Sequence, residues 1–196
     1  KVTSVPGGAV HWTEAGEGPV VLCIHGLAGN LRHFTYGMSA PLAAAGFRVI
    51  AIDRPGCGWS ERRGPQDAAL PRQAEMIAAF MEIEGIERAT VAGHSLGGAV
   101  ALQLAQDRPE KVAALALICP LTEPPGETPA PFKGLEVGTA WLRRLLAWTI
   151  AVPLAKRMGE ATLRAVFAPE PPPGDFLTRG GGALGLRPKG YVCASE

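Results

Sequence analysis

The sequence offers little that would mark it for a membrane, a nucleic acid or a metal. Its longest clean apolar run, residues 145–155, would span about 16 Å as a helix against roughly 30 Å of hydrocarbon, so no transmembrane segment is expected. An excess of one charge is missing too: the net charge is +1, with 10 basic against 11 acidic groups in residues 1–120 and 9 against 7 in residues 121–196. Without a basic face there is no electrostatic case for binding nucleic acid. Cysteine is sparse, and Cys23, Cys57, Cys119 and Cys193 stand far apart with no C-x-x-C and no neighbouring His pair. That spacing fits neither a zinc site nor a dense disulfide framework, so all four are read as reduced, with Cys23 and Cys119 as small hydrophobes in apolar runs. No G-x-x-x-x-G-K-[ST], H-E-x-x-H or dinucleotide glycine fingerprint occurs, so no metal and no cofactor are expected. The chain opens at Lys1 without Met or a signal-type apolar stretch, so its start reads as processed or incomplete and its compartment as cytoplasmic.

What is present is the composition of one packed domain, with 47% apolar and 19% charged residues in 196. Gly (25) and Pro (18) are abundant but follow no period, which excludes collagen-like and solenoid architectures. Up to residue 120, short β-rich runs alternate with helical patterns, the signature of a mostly parallel α/β sheet. Residues 20–24 (VVLCI) are apolar throughout, as in a strand buried on both faces, and 47–52, 89–92 and 112–119 read alike. Residues 10–13 alternate. Helices are predicted over 34–45, 72–84 and 96–107. In the second, Ala74, Ile77, Ala78 and Met81 form an i, i+3, i+4, i+7 stripe and Gly85 supplies the stop.

The character changes at Pro120. Five prolines in residues 120–131 cannot sit in a central strand and read as a linker. Helices follow from about Glu136, with Trp141, Leu145 and Trp148 on one face, and over 160–167. Pro153 should end or kink the first. Residues 121–196 thus form a helical, loop-rich excursion from the core of residues 1–120. Around Trp141, Arg143 and Arg144 three readings stay open: a helix packed on the core with its arginines in water, an apolar lid over the site, or a surface that meets a membrane boundary.

The chemistry is carried by Val91-Ala92-Gly93-His94-Ser95-Leu96-Gly97-Gly98, a G-x-S-x-G between a β run and a helical one. A Ser on so sharp a strand-to-helix turn is lifted off the sheet edge, and the positions two before and two after must be nearly bare; Gly93 and Gly97 meet that demand. The helix that begins at Leu96 aims its first N–H groups at the same spot. The plainer alternative is a Gly-flanked Ser at a helix N-cap. Two further segments bear on the choice. His25-Gly26-Leu27-Ala28-Gly29 follows the 20–24 run and would expose the Leu27 N–H beside Leu96 N–H. Asp53-Arg54-Pro55-Gly56-Cys57-Gly58-Trp59-Ser60 follows 47–52, and there Asp53 and Arg54 are read as structural.

The ordered trio HGLAG, DRPGCGWS and GHSLGG, each after a β run, resembles the α/β-hydrolase superfamily, in its esterase, haloperoxidase-like and epoxide-hydrolase-like branch. The match covers roughly residues 8–120. It implies Ser95 as nucleophile, Leu27 and Leu96 N–H as oxyanion hole, and a helical cap over residues 121–196. Ser at the elbow departs from members that use Asp there, which favours acyl chemistry over epoxide opening or halide displacement. The pattern breaks in one place. The superfamily's triad runs Ser, acid, His along the chain, yet all four His (His11, His25, His33, His94) precede Ser95. Glu123 and Asp175 are poor candidates for the acid. The expectation is an α/β-hydrolase fold whose last strands, carrying acid and His, lie beyond residue 196, with the 112–119 strand left as an uncovered edge. The expected function is hydrolysis of an ester or related acyl bond in a small, hydrophobic acyl substrate, with perhydrolysis sharing the same machinery. The rival is a non-catalytic hydrolase-like fragment that binds a ligand or partner chain.

Overall fold

In a computed structural model that describes residues 1–123 and 137–195, the chain builds a sheet from β1 (Val2–Val5), β2 (Gly8–Ala15), β3 (Val20–Ile24), β4 (Arg48–Ile52), β5 (Glu61–Arg62), β6 (Ala89–His94) and β7 (Val112–Ile118). The spatial order is β1-β2-β4-β3-β6-β7, with the short β5 paired to β2. β4, β3, β6 and β7 run parallel, and β1 and β2 join antiparallel at one side. The apolar runs of the sequence become central strands because both sheet faces are covered. Leu22, Ile24, Ile50 and Ile52 face one core with Trp12, Ile77, Phe80 and Leu104, while Val21, Cys23, Val49 and Ala51 face another with Leu31 and Phe34. Each large side chain fully removed from water contributes about 1.5–3 kcal/mol.

The first core is closed by α3 (Leu70–Ile83) and α4 (Leu96–Asp107); the second by α1 (Arg32–Thr35) and α2 (Ser39–Ala44). The expected stripe of α3 is buried, joined by Met76 and Phe80, and Gly85 ends the helix with φ +65. The single helix expected over 34–45 is instead two short ones separated at Tyr36-Gly37-Met38, where glycine weakens helix continuity. β1 and β5 were not foreseen: each is too short to show a period and is held by its pairing with β2. β7 stands at the edge of the described sheet with residues 113–117 exposed, Leu115 and Leu117 among them.

Beyond the linker, most of which lies outside the described residues together with the expected start at Glu136, come α5 (Ala140–Leu146), a wide π-type turn (Ala147–Ala151), α6 (Val152–Phe167), α7 (Gly182–Gly185) and α8 (Pro188–Ala194). Pro153 sits in the first turn of α6, where its missing N–H is tolerated, so the helical run widens rather than ends. Of the three open readings, the one that leaves both arginines in water does not hold for Arg143. That residue is buried and donates from Nε and Nη2 to Val137 O at 3.1 and 2.9 Å, while Trp141 and Trp148 are 68% and 77% exposed. Arg143 and Ala147, four apart, form the inward stripe, which turns the tryptophans outward. The cysteine reading is corrected as well. Cys57 and Cys193, 136 residues apart in sequence, are joined as a disulfide that ties α8 to the loop after β4; Cys23 is free and buried, and Cys119 is free and exposed. Among the described residues no helix is long and apolar enough to cross a membrane.

Candidate active site

Parallel register brings three loops to one place. Ile24 pairs with Ile52 on one side and Gly93 on the other, so β4, β3 and β6 end level and their following loops leave the same carboxyl edge. Crevices at that edge are where open α/β sheets bind ligands. The loops carry Asp53-Arg54, His25-Gly26-Leu27 and His94-Ser95-Leu96.

Ser95 has φ +52 and ψ −120, in a region costly for a residue with a Cβ. The turn is held by its main chain: Ser95 N donates to Ile118 O at 3.0 Å, and Ser95 O accepts from Gly98 N at 2.8 Å and Leu121 N at 2.9 Å. The bare positions are enforced by contact. A Cβ on Gly93 would lie 2.5 Å from Gly97 O, and one on Gly97 would lie 2.1 Å from Ile24 O and 2.6 Å from His25 O. The residue itself is half-buried, and among the described residues nothing hydrogen-bonds its Oγ. Leu96 N–H is the first of the 12-residue α4 and so lacks a partner within the helix. Neither it nor Leu27 N–H finds an acceptor among the described residues. The two turns touch, since a Cβ on Gly26 would meet Ser95 Cβ and His94 Nδ1, each at 3.0 Å.

Beneath the Gly26 turn lies a buried polar network. His25 is fully buried; its Nδ1 donates to Gly26 O at 2.8 Å and its Nε2 accepts from Arg54 N at 2.9 Å, which fixes the tautomer. Arg54, 2% exposed, donates from Nε to His25 O at 2.9 Å, from Nη1 to Gln73 Oε1 at 2.8 Å and from Nη2 to Gly26 O at 3.2 Å. Burial lowers its pKa to about 10, so it remains a cation at neutral pH. Asp53 accepts from Leu31 N and Trp59 N and bonds His11 Nδ1, each at 2.8 Å, and thereby ties the loops after β3 and β4 to β2. The structural role expected for Asp53 and Arg54 is what their contacts describe.

The other histidines are placed as well. Burial, with the nearby His94, lowers His33 to about 4, and its ring packs 5.4 Å from that of Phe176. Burial also lowers His94, beside Gly26. Residues 175–181 anchor on α1 and the residues at its two ends: Tyr36 donates to Asp175 at 2.5 Å, Asn30 Nδ2 to Gly181 O at 2.9 Å and Arg32 to Thr178 O at 3.1 Å. The Arg54 network and the Phe176 contact were not legible in the sequence, because they join residues 19 to 143 apart. A cavity of about 380 Å³, bordered by Arg62, Arg63, Arg144, Trp148 and Lys189, is not lined by Ser95. Among the described residues no three His, Cys, Asp or Glu are grouped to hold a metal.

Residues 19–173 match the family model of the alpha/beta hydrolase fold. The chain is 42% identical over 118 residues to a dihydrolipoyllysine-residue acetyltransferase component of an acetoin cleaving system from Cupriavidus necator, covering 60% of this chain and 31% of that protein. It is 36% identical over 114 residues to a 2-hydroxy-6-oxo-6-phenylhexa-2,4-dienoate hydrolase from Comamonas testosteroni, covering 57% of this chain and 40% of that one. The chain therefore matches well under half the length of these relatives. Among solved structures, an alpha/beta hydrolase fold protein from Burkholderia ambifaria superposes with a TM-score of 0.78 at 23% identity, over all of this chain and 68% of that one. With the elbow, the level strand ends and the family match over most of its length in agreement, the chain belongs to the α/β hydrolase fold family.

Proposed function

We propose that the chain is the nucleophile-bearing part of a serine hydrolase acting on an ester or related acyl bond. Ser95 Oγ attacks the carbonyl carbon, its proton passes to a base, and the carbonyl oxygen takes up the negative charge. Leu27 and Leu96 N–H receive that charge. The leaving alcohol departs with a proton, and water releases the acid from Ser95. The observation that carries this reading is the strained, half-buried Ser95, whose Oγ is unengaged among the described residues, next to two main-chain N–H groups that find no acceptor among them. Ser rather than Asp at the elbow supports acyl chemistry. The hydrolase from Comamonas testosteroni, whose name gives a small dienoate substrate, supports a small-molecule substrate here. Residues 121–196 are read as cap, resting on the Asp175, Thr178 and Gly181 contacts with the Asn30–Tyr36 region.

The base is read as lying outside residues 1–196, as the family order Ser, acid, His implies. No His follows Ser95 in the sequence, His25 has both ring nitrogens engaged, His11 is bonded to Asp53, His33 packs its ring on Phe176, and His94 is the residue next to Ser95 in the elbow itself. The same observation favours the second reading, a hydrolase-like module that binds a ligand or partner chain without turning it over. A fluorophosphonate probe decides between them. Covalent capture at Ser95 that disappears in Ser95→Ala supports the hydrolase, and in an active enzyme that substitution lowers kcat by several orders of magnitude. A folded sample of the protein with the segment that supplies the base, still unlabelled, supports the binding module.

A further inference from the structure

We propose that Arg54 and His25 are positioning residues that fix the orientation of the Gly26–Leu27 peptide, and so decide which of its two faces meets the site. The proposal deepens the serine-hydrolase reading and rests on it for its catalytic meaning. Gly26 C=O and Leu27 N–H belong to one planar trans peptide, so they point in opposite directions. Holding the carbonyl therefore aims the N–H. Three donors converge on Gly26 O: His25 Nδ1 at 2.8 Å, Arg54 Nη2 at 3.2 Å and Gly29 N at 3.3 Å. His25 and Arg54 are both buried, so this oxygen is drawn toward the interior and the N–H faces away from it.

The turn needs such a clamp. Gly26 has no Cβ to restrict rotation of the peptide, and Ala28 already sits at φ +53. With the peptide turned over, a carbonyl oxygen would stand where an oxyanion must be received, and would repel it. Arg54 is also an unusual tenant for so dry a place. Among the described residues no carboxylate forms an ion pair with it; its donors meet His25 O, Gly26 O and Gln73 Oε1 instead. Burying a charge without a counter-ion is unfavourable. In return, a cation on the carbonyl end polarises the peptide and strengthens its N–H as a donor. His25 completes the device from the other side, since Arg54 N donates to its Nε2 and so keeps the proton on Nδ1, aimed at Gly26 O.

The test uses the full chain with Arg54→Met, Arg54→Lys and His25→Gln, which withdraws the donor at the Nδ1 position and decides alone should Arg54→Met fail to fold. Crystal structures report the Gly26–Leu27 peptide directly, and saturation kinetics with the fluorophosphonate separate probe binding from the rate of capture. In folded Arg54→Met the peptide is expected to turn or lose its single orientation. The maximal capture rate at Ser95 should fall about 10²- to 10³-fold, the effect of removing one oxyanion donor, with the half-saturation constant unchanged. Arg54→Lys, which restores the cation, should recover part of the rate. A peptide that keeps its orientation in both Arg54→Met and His25→Gln, or capture at the parental rate, overturns the proposal. If the parental protein, with the segment that supplies the base present, is not captured at all, the hydrolase reading fails. The clamp is then judged on the crystal structures alone, a turned peptide supporting it and an unmoved one refuting it.

Discussion

Gly97→Ala is the sharpest probe of the elbow, because two opposing effects of one methyl group are separable. Gly97 lies in the first turn of α4 with ordinary helical backbone, so helix propensity alone would favour alanine by about 1 kcal/mol. Against this, the new Cβ would lie 2.1 Å from Ile24 O and 2.6 Å from His25 O, and both atoms are main chain at the end of a central strand. Neither can swing aside as a side-chain tip would. The helix must lift away from β3, and overpacking of this kind costs about 1–3 kcal/mol, with a rigid neighbour at the upper end. The net expectation is a loss of about 2 kcal/mol, which lowers the urea midpoint by roughly 1 M for a typical m-value. Gly159→Ala is the control. It lies inside α6 with nothing within 4 Å of the added Cβ, so it should gain about 0.5–1 kcal/mol by propensity and raise the midpoint. Urea unfolding followed by tryptophan fluorescence measures both. A Gly97→Ala midpoint equal to or above the parental one refutes the close approach of α4 to β3. A fall in both variants would show that context other than contact governs these glycines.

Acid should destabilise the fold through buried histidines. Burial, the largest cause, depresses His25 well below its ordinary 6.5 and His33 to about 4, so between those values the unfolded chain binds protons that the folded chain does not. Stability is then lost as the pH falls below about 6.5, with His25 and His33 together adding a slope approaching 2.7 kcal/mol per pH unit and the lowered His94 acting in the same direction. His33→Gln should remove about half of what His25 and His33 add, and a pH–stability curve superimposable on the parental one would count against the buried, neutral His33. The cysteines give a count without activity. Native protein should show one rapidly reacting thiol, Cys119, and denatured, unreduced protein two. Cys23 is shielded and burial pushes its thiol up to about 12, while Cys57 and Cys193 are bonded to each other. Three or four thiols in the denatured sample would contradict that pairing.

The central strands and the Ser95 elbow were legible because their signals are local. An unbroken apolar run such as residues 20–24 needs both faces covered, and glycines at 93 and 97 around a serine have a steric purpose that spacing alone reveals. α3 was legible for the same reason, as its stripe repeats within one helix. β1 and β5 were not, since their stability comes from pairing with β2 rather than from their own residues. The facing of α5 stayed open because its sequence offers two stripes. The arginine stripe won: Val137 O supplied acceptors for a buried guanidinium, and the tryptophans went outward.

By itself, then, the amino-acid sequence determined that a parallel α/β sheet forms and that a serine sits on a glycine-bounded corner at its edge, since backbone sterics and apolar periodicity act over a few residues. Tertiary structure alone decided that Ile52, Ile24 and Gly93 end level, and that Arg54 and His25 meet under the Gly26 carbonyl. It also decided that Cys193 reaches Cys57. Those facts depend on strand register and on the return of distant segments, where the free energy lies in contacts between residues that carry no mark of one another in the chain.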